Sequence, residues 1–102
     1  MPRFIVRVEL VNIAHTHPSY ETLHTAMELD GFSREMSRGR ANYKLPHAEY
    51  RLDDPRLDAA KVCARVKDLA TNVAQKVPTV CRVLVSEMER ETAVDFWNLE
   101  TA

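Results

Sequence analysis

Residues 3–11 read Arg3-Phe4-Ile5-Val6-Arg7-Val8-Glu9-Leu10-Val11, and their alternation decides how the rest of the chain is read. Phe4, Val6, Val8 and Leu10 fall on one side of an extended backbone, with Arg3, Ile5, Arg7 and Glu9 on the other. That period of two predicts a strand with one buried and one open face.

Downstream the period lengthens. Pro18 and Ser19 supply helix-start chemistry, and Tyr20, Leu23, His24 and Met27 recur at helical spacing. Gly31 can take the left-handed closing position with Phe32 folding back behind it, so a helix over 17–30 follows. Residues 32–36 and 41–45 then flank Ser37-Arg38-Gly39-Arg40, which has the length and composition of a hairpin loop. Pro46 cannot donate to a ladder, so an irregularity is expected there before Ala48, Tyr50 and Leu52 resume alternation. Asp53 or Asp54 should cap a second helix with Pro55 at its first position. Its stripe of Ala59, Val62, Cys63, Val66, Leu69, Ala70 and Val73 runs towards an end near Lys76. Residues 80–85, Val-Cys-Arg-Val-Leu-Val, form the last strand.

The order strand, helix, strand, strand, helix, strand, joined by right-handed crossovers, predicts an α+β sandwich of the ferredoxin-like βαββαβ kind. Its four-stranded antiparallel sheet would carry both helices on one face. Residues 1–87 make this domain. Residues 88–102 form an acidic tail whose Phe96, Trp97 and Leu99 should pack on the domain or on a partner chain, since together they would expose a large apolar surface.

Composition supports one globular domain. The chain has 102 residues, 45% hydrophobic and 28% charged, with two Gly and five Pro, which excludes collagenous, low-complexity and disordered classes. Residues 1–10 hold Arg3, Arg7 and Glu9 and so offer no signal peptide, and no window approaches a membrane span; a cytoplasmic protein without membrane contact is expected. Cys63 and Cys81 stand outside any CxxC or Cys/His cluster, which predicts two reduced, buried thiols and neither disulfide nor zinc.

The net charge of −1 removes bulk basicity as a reason to bind nucleic acid, so any contact must be local. Arg34, Arg38, Arg40 and Lys44 crowd the hairpin against Glu35 alone, whereas residues 86–102 carry five acids against Arg90. On the open sheet face Arg3, Arg7 and Arg82 should share one surface. Guanidinium groups stay charged and grip phosphate bidentately, so Arg3, Arg7, Arg34, Arg38, Arg40, Lys44 and Arg82 would suit single-stranded RNA. A solvated face with local ion pairs is the alternative. The glycine–aromatic signature of an RNA recognition motif is absent, although Tyr43 and Tyr50 could stack on bases.

Acid–base chemistry near neutral pH falls to histidine. His15 and His17 sit in the loop after the first strand, and His47 follows Pro46; these are the candidate catalytic groups. His24, on the apolar flank of the first helix, is read as structural. Further ligands for a metal on His15 and His17 are not evident, so no metal and no small-molecule cofactor are expected. Phosphate loops, nucleophile elbows and paired acidic residues at a strand end are missing as well.

The segments MPRFIVRVEL (1–10), YETLHTAMELDGFSR (20–34), YKLPHAEY (43–50) and VLVSE (83–87) resemble small bacterial and phage proteins grouped with the GhoS-type antitoxin of type V toxin–antitoxin systems. The resemblance implies a ferredoxin-like fold similar to CRISPR-associated small ribonucleases, and antitoxin action by cleaving a toxin's messenger RNA. Where those relatives have an aspartate at the end of the first strand, this chain has Leu10, Val11 and Asn12, so that carboxylate is not carried over. The expected function is RNA binding with sequence-selective endoribonuclease activity. The alternative is a non-catalytic homodimer that buries the open sheet and the aromatic tail.

Overall fold

A computed structural model describes residues 3–38, 40–88, 99 and 101. The elements run β1 (Arg3–Leu10), α1 (Pro18–Leu29), β2 (Glu35–Arg38), β3 (Ala41–Lys44), β4 (Glu49–Asp53), α2 (Ala59–Gln75) and β5 (Cys81–Met88). The class is α+β, with two helices and antiparallel sheets. A three-stranded sheet has the order β4-β1-β5, and β2 and β3 form a separate two-stranded hairpin.

Strand β1 is the centre of the molecule because its alternation is complete. Phe4, Val6, Val8 and Leu10 are all buried, and they meet Leu23 and Met27 of α1, Val62, Val66 and Ala70 of α2, and Tyr50 and Leu52 of β4 in one core. Cys81, Val83 and Val85 pack at its margin from β5. Registers Arg7↔Glu49 and Arg7↔Leu84 fix which side chains share the opposite face, where Ile5, Arg7, Glu9, Arg82, Leu84 and Ser86 stand.

The single four-stranded sheet expected from the sequence is not formed as one continuous ladder. The hairpin joins the main sheet through one bridge, in which Ser33 and Arg51 exchange both backbone hydrogen bonds at 2.8 and 2.7 Å. The cause is local. Strand β3 stops at Lys44, and residues 46–49 form a turn closed by Glu49 N–H to Pro46 O at 3.1 Å. Pro46 has no N–H to offer, and Ala48 sits at φ 59°, a left-handed conformation that alanine adopts at a cost.

Helix α1 follows its sequence signals. His17 is the N-cap, and Gly31 at φ 94° lets Gly31 N–H bond Glu28 O while Phe32 N–H bonds Met27 O, the pair of closing bonds that a left-handed residue permits. Helix α2 begins later than expected. Asp58, rather than Asp53 or Asp54, accepts from Lys61 N–H at 2.8 Å and caps it. Asp54 instead holds the turn before the helix, accepting from Arg56 N–H at 2.9 Å, so Pro55 lies outside. Its C-cap is Lys76, near the expected end.

Both cysteines are free thiols but half-buried rather than enclosed, Cys81 lying 3.7 Å from the Thr71 hydroxyl. Tyr50, a candidate for base stacking by its sequence position, is wholly in the core. Phe96 and Trp97 lie outside the described residues. Leu99 is half-buried, and Thr101 bridges antiparallel to Tyr43 on the hairpin, so the chain returns to its own basic segment. No helix among the described residues is long and apolar enough to cross a membrane.

Candidate functional site

Two similar turns build the site. After β1, Ile13 N–H bonds Leu10 O at 3.2 Å with Asn12 left-handed at φ 61°; after β3, the turn over 46–49 places Ala48 in the same region. Asparagine tolerates this conformation, and alanine is held in it by its buried position and by Val8 N–H donating to Ala48 O at 3.0 Å. The first turn leads to His15 and the second presents His47.

The β1–β4 ladder ends at Arg7↔Glu49, which leaves Leu10 without a strand partner on that side. Tyr20 of α1 supplies the missing bond, its hydroxyl accepting from Leu10 N–H at 3.0 Å. An aromatic cluster fills the place where β4 would have continued. The His15 and His47 rings stack at 4.1 Å with an interplanar angle of 18°. Tyr20 meets His47 edge-on at 4.5 Å, and His24 does so at 5.6 Å. His24 Nδ1 is 2.6 Å from the Tyr50 hydroxyl, tying the cluster to β4.

Protonation states follow from burial. His24 is 3% exposed, and burial, reinforced by the Arg34 charge, lowers its pKa to about 4. His47 is lowered by burial first, then by His15 and Arg34. Burial raises Tyr50. At neutral pH Tyr50 therefore keeps its proton and shares a hydrogen bond with Nδ1 of a neutral His24. His47 Nε2 is buried with no hydrogen-bond partner among the described residues. An imidazole nitrogen in that condition is closed to solvent and carries the cost of an unmade hydrogen bond.

Two cavities adjoin the cluster and share His47 in their walls. One, of about 840 Å³, is bordered by Arg34, Lys44, Pro46 and Leu99 together with Glu28 and Glu35. The other, of about 540 Å³, is bordered by His15, Tyr20, Arg7, Arg82 and Leu84. Arg34 and Arg7 thus border different cavities that share His47.

The structure unites some of the residues singled out from sequence and separates others. His15 and His47 come together. His17 does not join them, because its Nδ1 accepts from Ser19 N–H at 3.1 Å as the cap of α1. His24 is structural, as its apolar position indicated. Arg3, Arg7 and Arg82 share the open face, but Arg82 is paired with Glu9 at 3.2 Å, and Arg51 beside them with Asp53 at 2.9 Å. Arg38 and Arg40 lie towards the hairpin tip, remote in register from the bridge at Ser33. Leu99 borders the Arg34 cavity.

Tyr20 was not legible as a site residue, and Tyr50, a candidate for base stacking, stands in the core as the hydroxyl partner of His24. The signal for Tyr20 was its spacing of four from His24, which puts both rings on one side of α1. Among the described residues, no three His, Cys, Asp or Glu side chains converge as metal ligands. The arrangement offers a neutral imidazole, a second imidazole in contact with it, and a guanidinium group in each adjoining cavity: parts suited to binding a phosphodiester and moving a proton. No protein-family model, curated protein or solved structure matches the chain.

Proposed function

We propose that this protein binds single-stranded RNA and cleaves it without a metal, with His15 and His47 exchanging protons. The observation that carries the reading is the His15–His47 stack, whose His47 borders both of two arginine-lined cavities. His47, neutral at pH 7, takes the proton of a ribose 2′-hydroxyl as that oxygen attacks the adjacent phosphorus. His15 gives a proton to the departing 5′-oxygen. The products are a 2′,3′-cyclic phosphate and a 5′-hydroxyl. Arg34 and Arg7 neutralise the phosphate.

The architecture is consistent with a ferredoxin-like frame in which the hairpin supplies the fourth strand position through the Ser33–Arg51 bridge. The resemblance to GhoS-type antitoxins fits this reading, with a toxin messenger RNA as substrate in the cytoplasm. Arg3, Arg38, Arg40, Lys44 and Arg82 would extend the electrostatic track.

The test is cleavage of labelled single-stranded RNA by the full chain in EDTA, with product ends identified by mass. His15→Ala and His47→Ala should each reduce the rate by about 10²-fold or more. Unchanged rates in both variants, or no cleavage by the parent protein, would overturn the catalytic reading.

One observation favours a second reading, a homodimer through the open sheet. Leu84 is 64% exposed in the middle of that face, opposite Arg7 in the β1 register. Light scattering of the parent protein and of Leu84→Glu decides it: a dimer converted to a monomer supports the interface.

A further inference from the structure

We infer that the two cavities flanking His47 are adjacent nucleotide subsites, so that the ligand unit is one dinucleotide step of an unpaired strand with its phosphodiester at His47. The inference rests on the RNA reading above and adds where the strand runs and how much of it is held.

The argument is one of placement. The cavities share one residue, His47, in their walls, and their volumes of about 840 and 540 Å³ each fall within the range of ligand-sized pockets. Each has its own cation that is not drawn from the other: Arg34 on the hairpin side and Arg7 on the sheet side. Each also has a surface for a planar ring. On the sheet side it is His15, exposed on the face not covered by His47, with Leu84 beyond it. On the hairpin side it is the exposed Pro46 with Leu45. Single-stranded nucleic acid is held by this combination of ring platforms and backbone cations.

A double helix is excluded by the same placement. A strand whose linking phosphate lies at His47 sends successive bases into two separate cavities, which stacked and paired bases cannot do.

The experiment measures competition by unlabelled 2′-O-methyl oligonucleotides of one to six residues against a labelled hexamer bound to the full chain, at fixed salt. The methyl group blocks cleavage while leaving binding readable. Affinity should rise by about tenfold or more from one residue to two, and by much less for each later residue. Arg34→Ala and His15→Ala, both at exposed positions, should each bring the dinucleotide to within about threefold of the mononucleotide while circular dichroism stays that of the parent. A smooth rise with length, equal per phosphate, would overturn the subsites while leaving RNA binding intact. Failure of every oligonucleotide to compete with a bound hexamer would also overturn them, and failure of the hexamer itself to bind would remove the RNA reading as well.

Discussion

The Tyr50 hydroxyl lies 2.6 Å from His24 Nδ1, a hydrogen bond between β4 and α1 inside the core and the main polar contact beneath the His15–His47 stack. Burial keeps Tyr50 protonated and His24 neutral, so the bond joins two uncharged groups, and the His24 ring is held where His47 packs against it.

Tyr50→Phe should therefore destabilise the fold by about 1–3 kcal/mol, the cost of leaving a buried imidazole nitrogen unsatisfied while nearly all the ring packing is retained. Urea denaturation measures it. His24→Leu in the same background should recover part of the stability, since it removes the orphaned group.

Acid should unfold the protein earlier than its carboxylates alone would dictate. His24 has a folded pKa of about 4 against 6.5 ordinarily, so the unfolded chain binds a proton that the native state refuses. Stability is full above pH 6.5 and falls as pH drops towards 4, by on the order of 2 kcal/mol, with His47 adding in the same direction. Arg34 and His47 facing His24 reinforce the effect, and Glu21 opposes it. In His24→Leu the slope of stability between pH 6.5 and 4 should shrink; an unchanged slope would assign the acid sensitivity elsewhere.

Arg65 reaches from α2 to the end of α1, pairing with the Asp30 carboxylate, donating to Asp30 O at 2.8 Å and lying over the Phe32 ring at 5.8 Å. Arg65→Ala should cost about 1 kcal/mol by thermal denaturation. Arg65→Lys should restore little of it, because an ammonium cannot make the forked contact to carboxylate and carbonyl together.

Replacing Arg34, Arg38 and Arg40 together by Ala should weaken RNA binding and flatten its salt dependence, the log–log slope falling by about one for each phosphate that is no longer neutralised. Filter binding across a salt series gives the slope. An unchanged slope would make the hairpin a solvated loop.

Leu99 borders the Arg34 cavity and Thr101 bridges to Tyr43, so the end of an acidic segment lies against the basic hairpin. Deleting residues 99–102 should raise RNA affinity at low salt by a few-fold through relief of competition and removal of Glu100. Equal affinities before and after deletion would show that the segment does not compete with RNA.

Much of the fold was legible in local patterns. The alternation in β1, the closing signals around Gly31, the α2 stripe and the interruption at Pro46 each act within a few residues, where backbone geometry and side-chain periodicity are decided by near neighbours. The start of α2 was not legible, because Asp54 and Asp58 carry the same capping chemistry. Only the bond to Lys61 N–H distinguishes them. The hairpin's separation from the main sheet was half legible: Pro46 announced a break, but whether the ladder would resume across it depended on Ala48 turning left-handed under the burial of its surroundings.

The site was decided almost entirely by tertiary structure. Sequence alone selected His15, His17 and His47 by residue type, and nothing in their spacing could say that His17 would be spent capping α1 while His15 and His47 stacked. That outcome follows from where β4 leaves β1: the vacated edge beside Leu10 is filled by Tyr20, His15 and His47, side chains from three segments brought together by the core. Chain chemistry determined which strands and helices form and which residues could move a proton. Burial and ring packing across the fold determined which of them meet, and which are neutral when they do.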